Sequence, residues 1–471
     1  MSRNQHKSVV FLVIYILLLT FMPLLAHAKP QNELDYNSRG LDFFTEKKFK
    51  LAISDFTQAI TINPRFEYAY NNRGIVYIAL KQLDLAISDF NKAVEVNPKF
   101  GYAYYLRGKV YYAKRDFQQA LTDMNLAISS GYQHIEVYQT RASVYFDLQQ
   151  YPEALADCDK YLAIDQQNMD LHFKRGLAYI SLKQFDQAID DFNLIISDNP
   201  QNATAYSNRG LAHHHLQHYE QAIADFNKAI TIEPNFASFY FYRGNTYYSL
   251  KQNDKAIVDY DKAIAINPND LFSYINRGFV YYYELRKFEK AIADYDKAIT
   301  INPNLEFAYN NRGFAYYELG KFDQALIDFN KALTFSQSIP NIYFGRGNTY
   351  LRLKQYDKAI SDYNKALSLD PDQLNIERYT LYRGIAYLHS GKLNQSITDF
   401  DKVIAINPQF ADLYYYKGLA LMKLNLNLEA IEAFRQYIQI GTDTTSINSA
   451  KNYIIKLSPR HDLSSMNSTQ E

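Results

Sequence analysis

A 34-residue period runs through most of the chain and limits its fold more than any other feature of the sequence. It is marked by an Arg followed by Gly, or by Ala in one copy. The spacing is 34 residues, except for 35 after Arg277 and 37 after Arg346. A unit this short cannot bury its own apolar residues, so its copies must stack on one another. The markers are Arg39, Arg73, Arg107, Arg141, Arg175, Arg209, Arg243, Arg277, Arg312, Arg346 and Arg383, with Lys417 in a twelfth copy.

The second copy shows what one unit contains. Apolar and small residues recur at three- and four-residue steps over 68–80 and again over 84–96. This spacing predicts two amphipathic helices. A short turn at Lys81 separates them, and Pro98 follows the second because Pro cannot continue a helix. Each copy is therefore predicted to be a helix-turn-helix unit.

Seven positions of this unit resemble the tetratricopeptide repeat, a family with the same 34-residue period. Tyr stands where that family usually has Trp. The resemblance covers most of the chain and implies an all-α fold. We expect an α-α superhelical solenoid of about twelve 34-residue helix-turn-helix repeats, closed by a C-terminal capping helix. The seven positions are Tyr70, Gly74, Tyr77, Ala86, Phe90, Ala93 and Pro98.

The repeats occupy residues 33–444 and leave little room for another domain. After them, apolar residues between Ile447 and Leu457 share one helical face, so we expect a capping helix over 445–458. The polar tail 459–471 is predicted to be disordered. Repeats 1 to 12 cover 33–66, 67–100, 101–134, 135–168, 169–202, 203–236, 237–270, 271–305, 306–339, 340–376, 377–410 and 411–444.

Residues 1–28 are predicted to be a signal peptide. Two basic residues precede the apolar stretch 9–25, and an Ala-His-Ala cleavage site ends at Ala28. The mature chain would begin with a linker, 29–32, and would be secreted or periplasmic. The apolar stretch is also long enough for an uncleaved helix, which would instead tether the protein to a membrane through 9–25.

Composition and the lack of catalytic motifs exclude several classes of function. Lys+Arg and Asp+Glu each number 50, and a nucleic-acid partner calls for a basic surface, so none is expected. The sequence contains no nucleophile elbow, phosphate-binding Gly loop or metalloprotease helix, and we expect neither an enzyme nor a cofactor. The single Cys158 stands where other copies mostly carry Phe or Tyr. We expect it in the core, and it cannot form an intramolecular disulfide.

An Asp recurs on the second helix in register with the marker Arg. The two types change together in the last copy, to Lys417 and Ala433. Such a pattern predicts a structural ladder of ion pairs along the stack. Whether each pair lies within a repeat or between neighbours stays open. The ladder includes Arg73, Arg209, Arg243 and Arg277 with Asp89, Asp225, Asp259 and Asp294.

Two repeats are longer than 34 residues. The extra residue of repeat 8 is expected near 284–287, in the turn between its helices. Three extra residues before repeat 11 fall in 370–377 and are expected to lengthen a turn between repeats. Turns tolerate such insertions, so neutral drift explains both.

His213, His214, His215 and His218 form the one cluster with a metal-like spacing, since His214 and His218 are four residues apart. No Asp, Glu or Cys stands beside them to complete a site. We therefore predict no metal site and keep His214 and His218 only as weak candidates.

The resemblance implies that the first helix of each repeat faces a groove for a protein or peptide. In repeat 2 the groove positions include Asn71, Ile75 and Ile78. The family's carboxylate clamp requires Lys at a position that holds Asn37, Asn71 and other residues here, never Lys. In repeats 7 to 10 the candidates are Phe241, Asn245, Tyr248, Phe272, Ile275, Phe279, Tyr282, Phe307, Asn310, Phe314, Tyr317, Phe344 and Asn348.

These rings and amides allow two interpretations. Exposed, the rings would supply contact area and the amides would bond the backbone of an extended segment. Buried, they would pack between neighbouring first helices. We expect a non-enzymatic, extracytoplasmic scaffold that binds a partner protein or peptide. The alternatives are a structural assembly subunit and a metal or small-ligand carrier that uses the cluster from His213 to His218.

Overall fold

The computed structural model describes residues 30–370 and 375–458, and every regular element within those ranges is a helix. The predicted signal peptide and the polar tail lie outside the described residues. No helix in the described part is both long and apolar enough to cross a membrane. The chain divides between Gln221 and Ala222 into two compact units, here called unit 1 and unit 2.

The helices follow one another in pairs, so that odd numbers are first helices of repeats and even numbers are second helices. Unit 1 contains α1 (Glu33–Thr45), α2 (Phe49–Ile62), α3 (Glu67–Ala79), α4 (Leu83–Val96), α5 (Gly101–Ala113), α6 (Phe117–Ser129), α7 (Ile135–Asp147), α8 (Tyr151–Leu162), α9 (Met169–Ser181), α10 (Phe185–Asp198) and α11 (Ala203–His215). Helix α12 (Tyr219–Ile232) begins just before the boundary. Unit 2 contains α13 (Ala237–Ser249), α14 (Asn253–Ile266), α15 (Leu271–Phe279), α16 (Phe288–Ile301), α17 (Glu306–Glu318), α18 (Phe322–Phe335), α19 (Pro340–Arg352), α20 (Tyr356–Ser368), α21 (Ile376–His389), α22 (Leu393–Ile406), α23 (Ala411–Lys423), α24 (Asn427–Ile440) and α25 (Thr444–Leu457).

Repeat 2 shows how the sequence pattern becomes a helix pair. Its helices α3 and α4 each begin one residue before the predicted start. Between them, Lys81 has a φ of 60°, the left-handed conformation that this tight reversal requires. After α4, the N–H of Asn97 closes the last turn on the carbonyl oxygen of Ala93 at 3.0 Å. Pro98 then prevents continuation, and the two-helix prediction is confirmed.

Each pair is held together by a ring that packs against small residues. Phe90 of α4 is fully buried. It lies against Gly74 of α3, where a Cβ atom would come within 2.7 Å of the ring. Ala86 and Ala93 are fully buried as well. Burial of one such ring contributes about 1.5 to 3 kcal/mol, and the small residues allow the helices to approach closely enough to achieve it.

Within each unit the repeats stack in order. In unit 1, α2 packs on α3, and the first helices α1, α3, α5, α7, α9 and α11 contact one another in succession. In unit 2, α18 packs on α19, and α17, α19, α21 and α23 contact one another in the same way. First helices therefore lie side by side. This is the all-α solenoid of helix-turn-helix repeats that the period predicts.

The extra residue of repeat 8 lies in a helix, which corrects its predicted position in the turn at 284–287. Helix α15 continues directly as a π-helical segment, Val280–Glu284. The N–H of Leu285 donates to the carbonyl oxygen of Val280 at 3.2 Å, five residues back, as in a π-helix. The first helix of repeat 8 absorbs the insertion by widening its last turn.

A longer connection separates repeats 10 and 11. Helix α20 ends at Ser368 and α21 begins at Ile376. The three extra residues of 370–377 therefore lie between two repeats, and residues 371–374 are outside the described ranges.

Helix α25 follows the twelfth pair. The Asp443 carboxylate accepts hydrogen bonds from the backbone N–H groups of Thr445 and Ser446 at its start, which is an N-cap. Ala450 and Ile454 are buried in a cluster with residues of α24. The helix therefore covers the last repeat, and it begins one residue before the predicted range.

Candidate functional site

Each ladder Arg in repeats 1 to 5 and 7 to 11 binds an Asp of its own repeat. Nε of Arg73 donates to Oδ2 of Asp89 at 2.8 Å, and Nη2 donates to Oδ1 at 2.7 Å. Arg243 and Asp259 form the same fork at 2.7 and 2.6 Å. Asp89 is only 5% exposed, and its carboxylate raises the pKa of Arg73 above the ordinary value. Such bidentate pairs are stronger than single bonds.

The third guanidinium nitrogen reaches the preceding repeat. Nη1 of Arg243 donates to Oδ1 of Asn227 at 2.5 Å, and Nη1 of Arg209 donates to Oδ1 of Asn193 at 2.7 Å. The ion pair therefore lies within a repeat, while the same Arg also joins neighbouring repeats. From repeat 2 to repeat 11 the acceptors are Thr57, Asn91, Asn125, Asp159, Asn193, Asn227, Asp261, Asp296, Asn330 and Asn364.

Sequence reasoning missed these acceptors, although the sequence holds a signal for them. The acceptor stands two residues after the ladder Asp of the preceding repeat and is Asn, Asp or Thr in the first eleven copies. In the last copy, Nζ of Lys417 donates to Oδ1 of Asp401 at 2.6 Å, while Ala433 replaces the internal Asp. The last copy keeps the bond to its neighbour alone. A feature that recurs in this way joins repeats and is not a catalytic site.

In repeat 8 the ladder accommodates the longer first helix. Arg277 binds Asp294, which is also buried, across 17 residues instead of the usual 16. In repeat 6, Asp225 is buried at the same position of its second helix. The ladder therefore sets the register of the helices even where the repeat length changes.

The rings of the His cluster do not converge on one point. The ring centroids of His213 and His218 are 5.9 Å apart, and the ring of His214 lies edge-on to Tyr219 at 5.6 Å. Burial lowers the pKa of His214. Across the described ranges, no three His, Cys, Asp or Glu side chains are grouped to hold a metal ion.

Cys158 lies in the core of unit 1. It is buried in a cluster with Ala142, Tyr161 and Leu171. Burial raises the pKa of its thiol to about 12. A thiol held in this way is a poor nucleophile at neutral pH.

The thirteen groove candidates differ in exposure. Phe272 is exposed over 60% of its surface. The half-buried members are Phe241, Asn245, Tyr248, Phe279, Tyr282, Phe307 and Tyr317. The buried members, which are not available to a partner, are Ile275, Asn310, Phe314, Phe344 and Asn348. In repeat 2, Asn71 is buried as well, while Ile75 and Ile78 are half-buried.

In repeats 9 and 10 the rings pack between helices. Phe344 has no exposed surface, and the Arg378 guanidinium lies 4.1 Å from its ring centroid. Phe314 meets Phe329 edge-on, with ring centroids 5.1 Å apart. Gly345 makes room for these rings, since a Cβ atom there would lie 2.5 Å from the Phe329 ring. The packing interpretation holds for Phe314 and Phe344, while Phe307 and Tyr317 of repeat 9 are half-buried.

In repeats 7 and 8 two rings, those of Phe272 and Tyr283, are exposed, and the neighbouring rings are half-buried. We call Phe241, Tyr248, Phe272, Phe279 and Tyr283 the repeat 7–8 ring cluster. Phe279 and Tyr283 have ring centroids 4.2 Å apart, and Tyr248 meets Phe279 edge-on at 5.9 Å. Tyr283 belongs to the π-helical segment and is 52% exposed. Sequence reasoning missed Tyr283, and the extra residue of repeat 8 was its signal.

The amides of the candidate groove are also used differently. Oδ1 of the buried Asn348 accepts a hydrogen bond from the Tyr363 hydroxyl at 2.8 Å. Oδ1 of the half-buried Asn245 accepts from the Tyr260 hydroxyl and from Nδ2 of Asn276, both at 2.8 Å. The Asn245 amide of repeat 7 is therefore partly accessible, and the Asn348 amide of repeat 10 is buried.

Comparison of the sequence with protein-family models identifies the family of these helix pairs. Models described as "Tetratricopeptide repeat" match residues 67–100, 105–169, 170–202, 203–236, 237–270, 307–338 and 340–373. A model described as "TPR repeat" matches 282–320 and 384–425. Together they cover more than half of the chain. The chain belongs to the tetratricopeptide repeat family. Tetratricopeptide repeat proteins are in general non-enzymatic scaffolds that bind proteins or peptides.

Three solved structures are similar to this tetratricopeptide repeat protein. YrrB, described as a TPR protein with an unusual peptide-binding site, is 24% identical over 38% of this chain and 92% of its own, with a TM-score of 0.37. Yeast Tom70 is 16% identical over 90% and 95%, with a TM-score of 0.37. A chain of the APC/C hetero-tetramer Cut9-Hcn1 is 14% identical over 90% and 96%, with a TM-score of 0.43. No curated protein gives a significant match.

Proposed function

We propose that this protein is a scaffold that holds an extended segment of another protein against the first helices of repeats 7 and 8. The observation that carries the proposal is the exposure of Phe272 and Tyr283 beside the half-buried rings of the repeat 7–8 ring cluster. Soluble proteins rarely leave contiguous apolar surface open unless it binds something. Rings are well suited to this task because they supply a large contact area with few rotatable bonds.

The stacked repeats preorganise this binding surface. The ladder and the buried rings fix the first helices side by side, so the ring cluster loses little conformational freedom on binding. A preorganised surface spends less of its interaction energy on ordering. Affinity then depends on the surface chemistry of two repeats and not on folding of the scaffold.

The binding is proposed to take place outside the cytoplasm, because residues 1–28 have the form of a signal peptide. Mass spectrometry of the native protein's N-terminal peptide tests this. We expect the chain to begin at Lys29. A chain that keeps residues 9–25 and fractionates with membranes would support the anchored alternative.

Site-specific photo-crosslinking in the full chain tests the binding surface. A photoreactive amino acid at Phe272 is compared with one at Val258, which is 57% exposed on the second helix α14. We expect a partner protein to crosslink from position 272 and not from position 258. The double variant Phe272→Ser with Tyr283→Ser, crosslinked from Phe241, should lose that partner.

The opposite pattern would change the conclusion. Capture from position 258 alone would move the interface to the second helices and contradict the proposal. A product that contains two copies of this chain would favour the structural assembly alternative.

A further inference from the structure

A cavity of about 220 Å³ is bordered by the first helices of repeats 7 and 8 and by the second helix α14 of repeat 7. It is lined by Tyr248, Tyr260, Asn276, Phe279 and Val280. The last two residues stand where α15 passes into the π-helical segment. Such π-helical turns are rare and are often found at functional sites. The feature that sets repeat 8 apart in length therefore borders the cavity.

The carboxylate that contacts the cavity lining already has partners. None of the lining residues is charged. At the rim, the Glu284 carboxylate accepts a hydrogen bond from the Tyr248 hydroxyl at 3.3 Å and pairs with Lys251 at 3.5 Å. The chemistry that complements this cavity is therefore uncharged and apolar.

The size of the cavity matches one large side chain. A cavity of about 150 Å³ is enough to hold benzene, so this one can take an aromatic or branched aliphatic side chain. The rings of Tyr248 and Phe279 line this space and lie edge-on to each other, and edge-to-face contacts of a bound ring with them would add to the gain from burial.

One lining residue, Asn276, is hydrogen-bonded to Asn245, which also accepts from the hydroxyl of the lining residue Tyr260. Because Oδ1 of Asn245 accepts from Nδ2 of Asn276, the orientation of both amides is set. Nδ2 of Asn245 and Oδ1 of Asn276 have no hydrogen-bond partner among the residues that the structure describes. One is a donor and the other an acceptor, which is what the N–H and C=O of one residue in an extended segment require.

We propose that this cavity binds one bulky, uncharged side chain of the partner segment while Asn245 and Asn276 bond the backbone of the same residue. The inference rests on the scaffold function proposed above and adds a selection rule to it. The repeat 7–8 ring cluster supplies contact area, and the cavity selects an aromatic or branched aliphatic residue. In repeat 9 the ring equivalent to Phe279 is Phe314, which is buried and cannot line such a cavity.

The test uses the full chain and N-acetyl-phenylalanine methylamide, a probe with one ring and a complete backbone unit. Binding is followed by saturation-transfer NMR. Deletion of Glu284 returns repeat 8 to 34 residues, and Asn276→Leu removes one amide. The matched control Asn311→Leu changes the same position in repeat 9. We expect the parent and Asn311→Leu to bind, and the deletion and Asn276→Leu to bind at least about tenfold more weakly.

The same measurement can overturn the proposal. The lysine and aspartate analogues of the probe are expected not to bind, and binding as tight as that of the phenylalanine probe would contradict the selection rule. Equal binding by the parent and both variants would reject the cavity. Thermal melting checks that each variant folds. If the deletion variant does not fold, the binding of Asn276→Leu alone tests the proposal.

Failure of the cavity can be distinguished from failure of the scaffold function. If no analogue binds while a partner still crosslinks from position 272, the cavity proposal is wrong and the scaffold function stands. If the phenylalanine probe binds while no partner crosslinks, the selection site stands and the crosslinking surface is wrong.

Discussion

Repeats 7 and 8 and repeats 9 and 10 place rings at the same positions of their first helices and use them in different ways. Phe241 and Phe344 both stand three residues before the repeat Gly, but Phe241 is half-buried and Phe344 has no exposed surface. Phe279 and Phe314 both stand one residue after it, and only Phe314 is buried. Ring identity therefore does not decide whether a groove position is available.

Two neighbouring features decide it instead. Repeat 10 has Gly345 where repeat 7 has Tyr242, and the missing side chain admits the rings of Phe314 and Phe329. Repeat 8 has the additional residue that turns the end of its first helix into a π-helix and brings Tyr283 onto Phe279. Gly345 allows rings to be buried in repeats 9 and 10, and the longer first helix of repeat 8 adds an exposed ring to repeats 7 and 8.

The largest expected effect is the loss of a buried ring. Phe344→Ala should lower the free energy of unfolding by about 3 to 5 kcal/mol, the usual cost of a large cavity. The matched change Phe241→Ala should cost about half as much or less, because that ring is only half-buried. Urea denaturation measures both, with hydrogen exchange in α13 and α19 to locate the change. Equal costs would contradict the comparison.

The ion-pair ladder should contribute equally to stability in the two regions. Arg243→Ala and Arg346→Ala each leave a buried carboxylate without its partner, which costs about 3 kcal/mol or more. We expect the two variants to lose similar stability, because both Arg side chains make the same three bonds. Urea denaturation of the pair checks this. A clear difference would mean that the ladder is not uniform.

A smaller effect is expected at the residue that closes repeats 9 and 10. Gly345→Ala puts a Cβ atom against the Phe329 ring and should cost about 1 to 3 kcal/mol, as overpacking does. Asn276→Ala changes the same position in repeat 8, where a side chain is already present, and should cost less. Thermal melting of both variants tests this. A neutral Gly345→Ala would remove Gly345 as the cause of the closed packing.

The smallest expected effect on stability comes from removing one Tyr hydroxyl, and it should have opposite signs in the two regions. Tyr363 donates to Asn348, so Tyr363→Phe should cost about 1 kcal/mol. The fully buried Tyr295 hydroxyl has no hydrogen-bond partner among the described residues, since Phe279 stands where repeat 10 has Asn348. Tyr295→Phe should therefore stabilise the protein by about 1 kcal/mol. Chemical denaturation of the two variants gives the signs, and a loss for Tyr295→Phe would contradict this account.

The repeated features of the protein could be predicted from its sequence. The helix pairs of repeat 2 follow from apolar spacing and from Pro98, and the Arg and Asp of the ladder follow from their joint recurrence. The acceptor of the third Arg nitrogen, such as Asn227, could have been found in the same way. Features that occur in every copy leave a signal that recurs with the period.

The features that distinguish one repeat from another could not be predicted. An insertion near Glu284 is compatible with a turn or a π-helix, and the choice depends on how the neighbouring helices pack. The burial of Phe314 depends on Gly345 of the following repeat, whose missing side chain leaves room for that ring. These outcomes depend on three-dimensional packing that no local spacing records.

The most direct test of the central claim is hydroxyl-radical footprinting of the folded chain, read out residue by residue by mass spectrometry. The side chains compared are Phe272 and Tyr283 of repeat 8 with Phe314 and Phe344 of repeats 9 and 10. We predict rapid oxidation of the first two and protection of the other two until the protein is unfolded. Similar oxidation rates for all four would show that the two regions do not differ in exposure and would contradict the account.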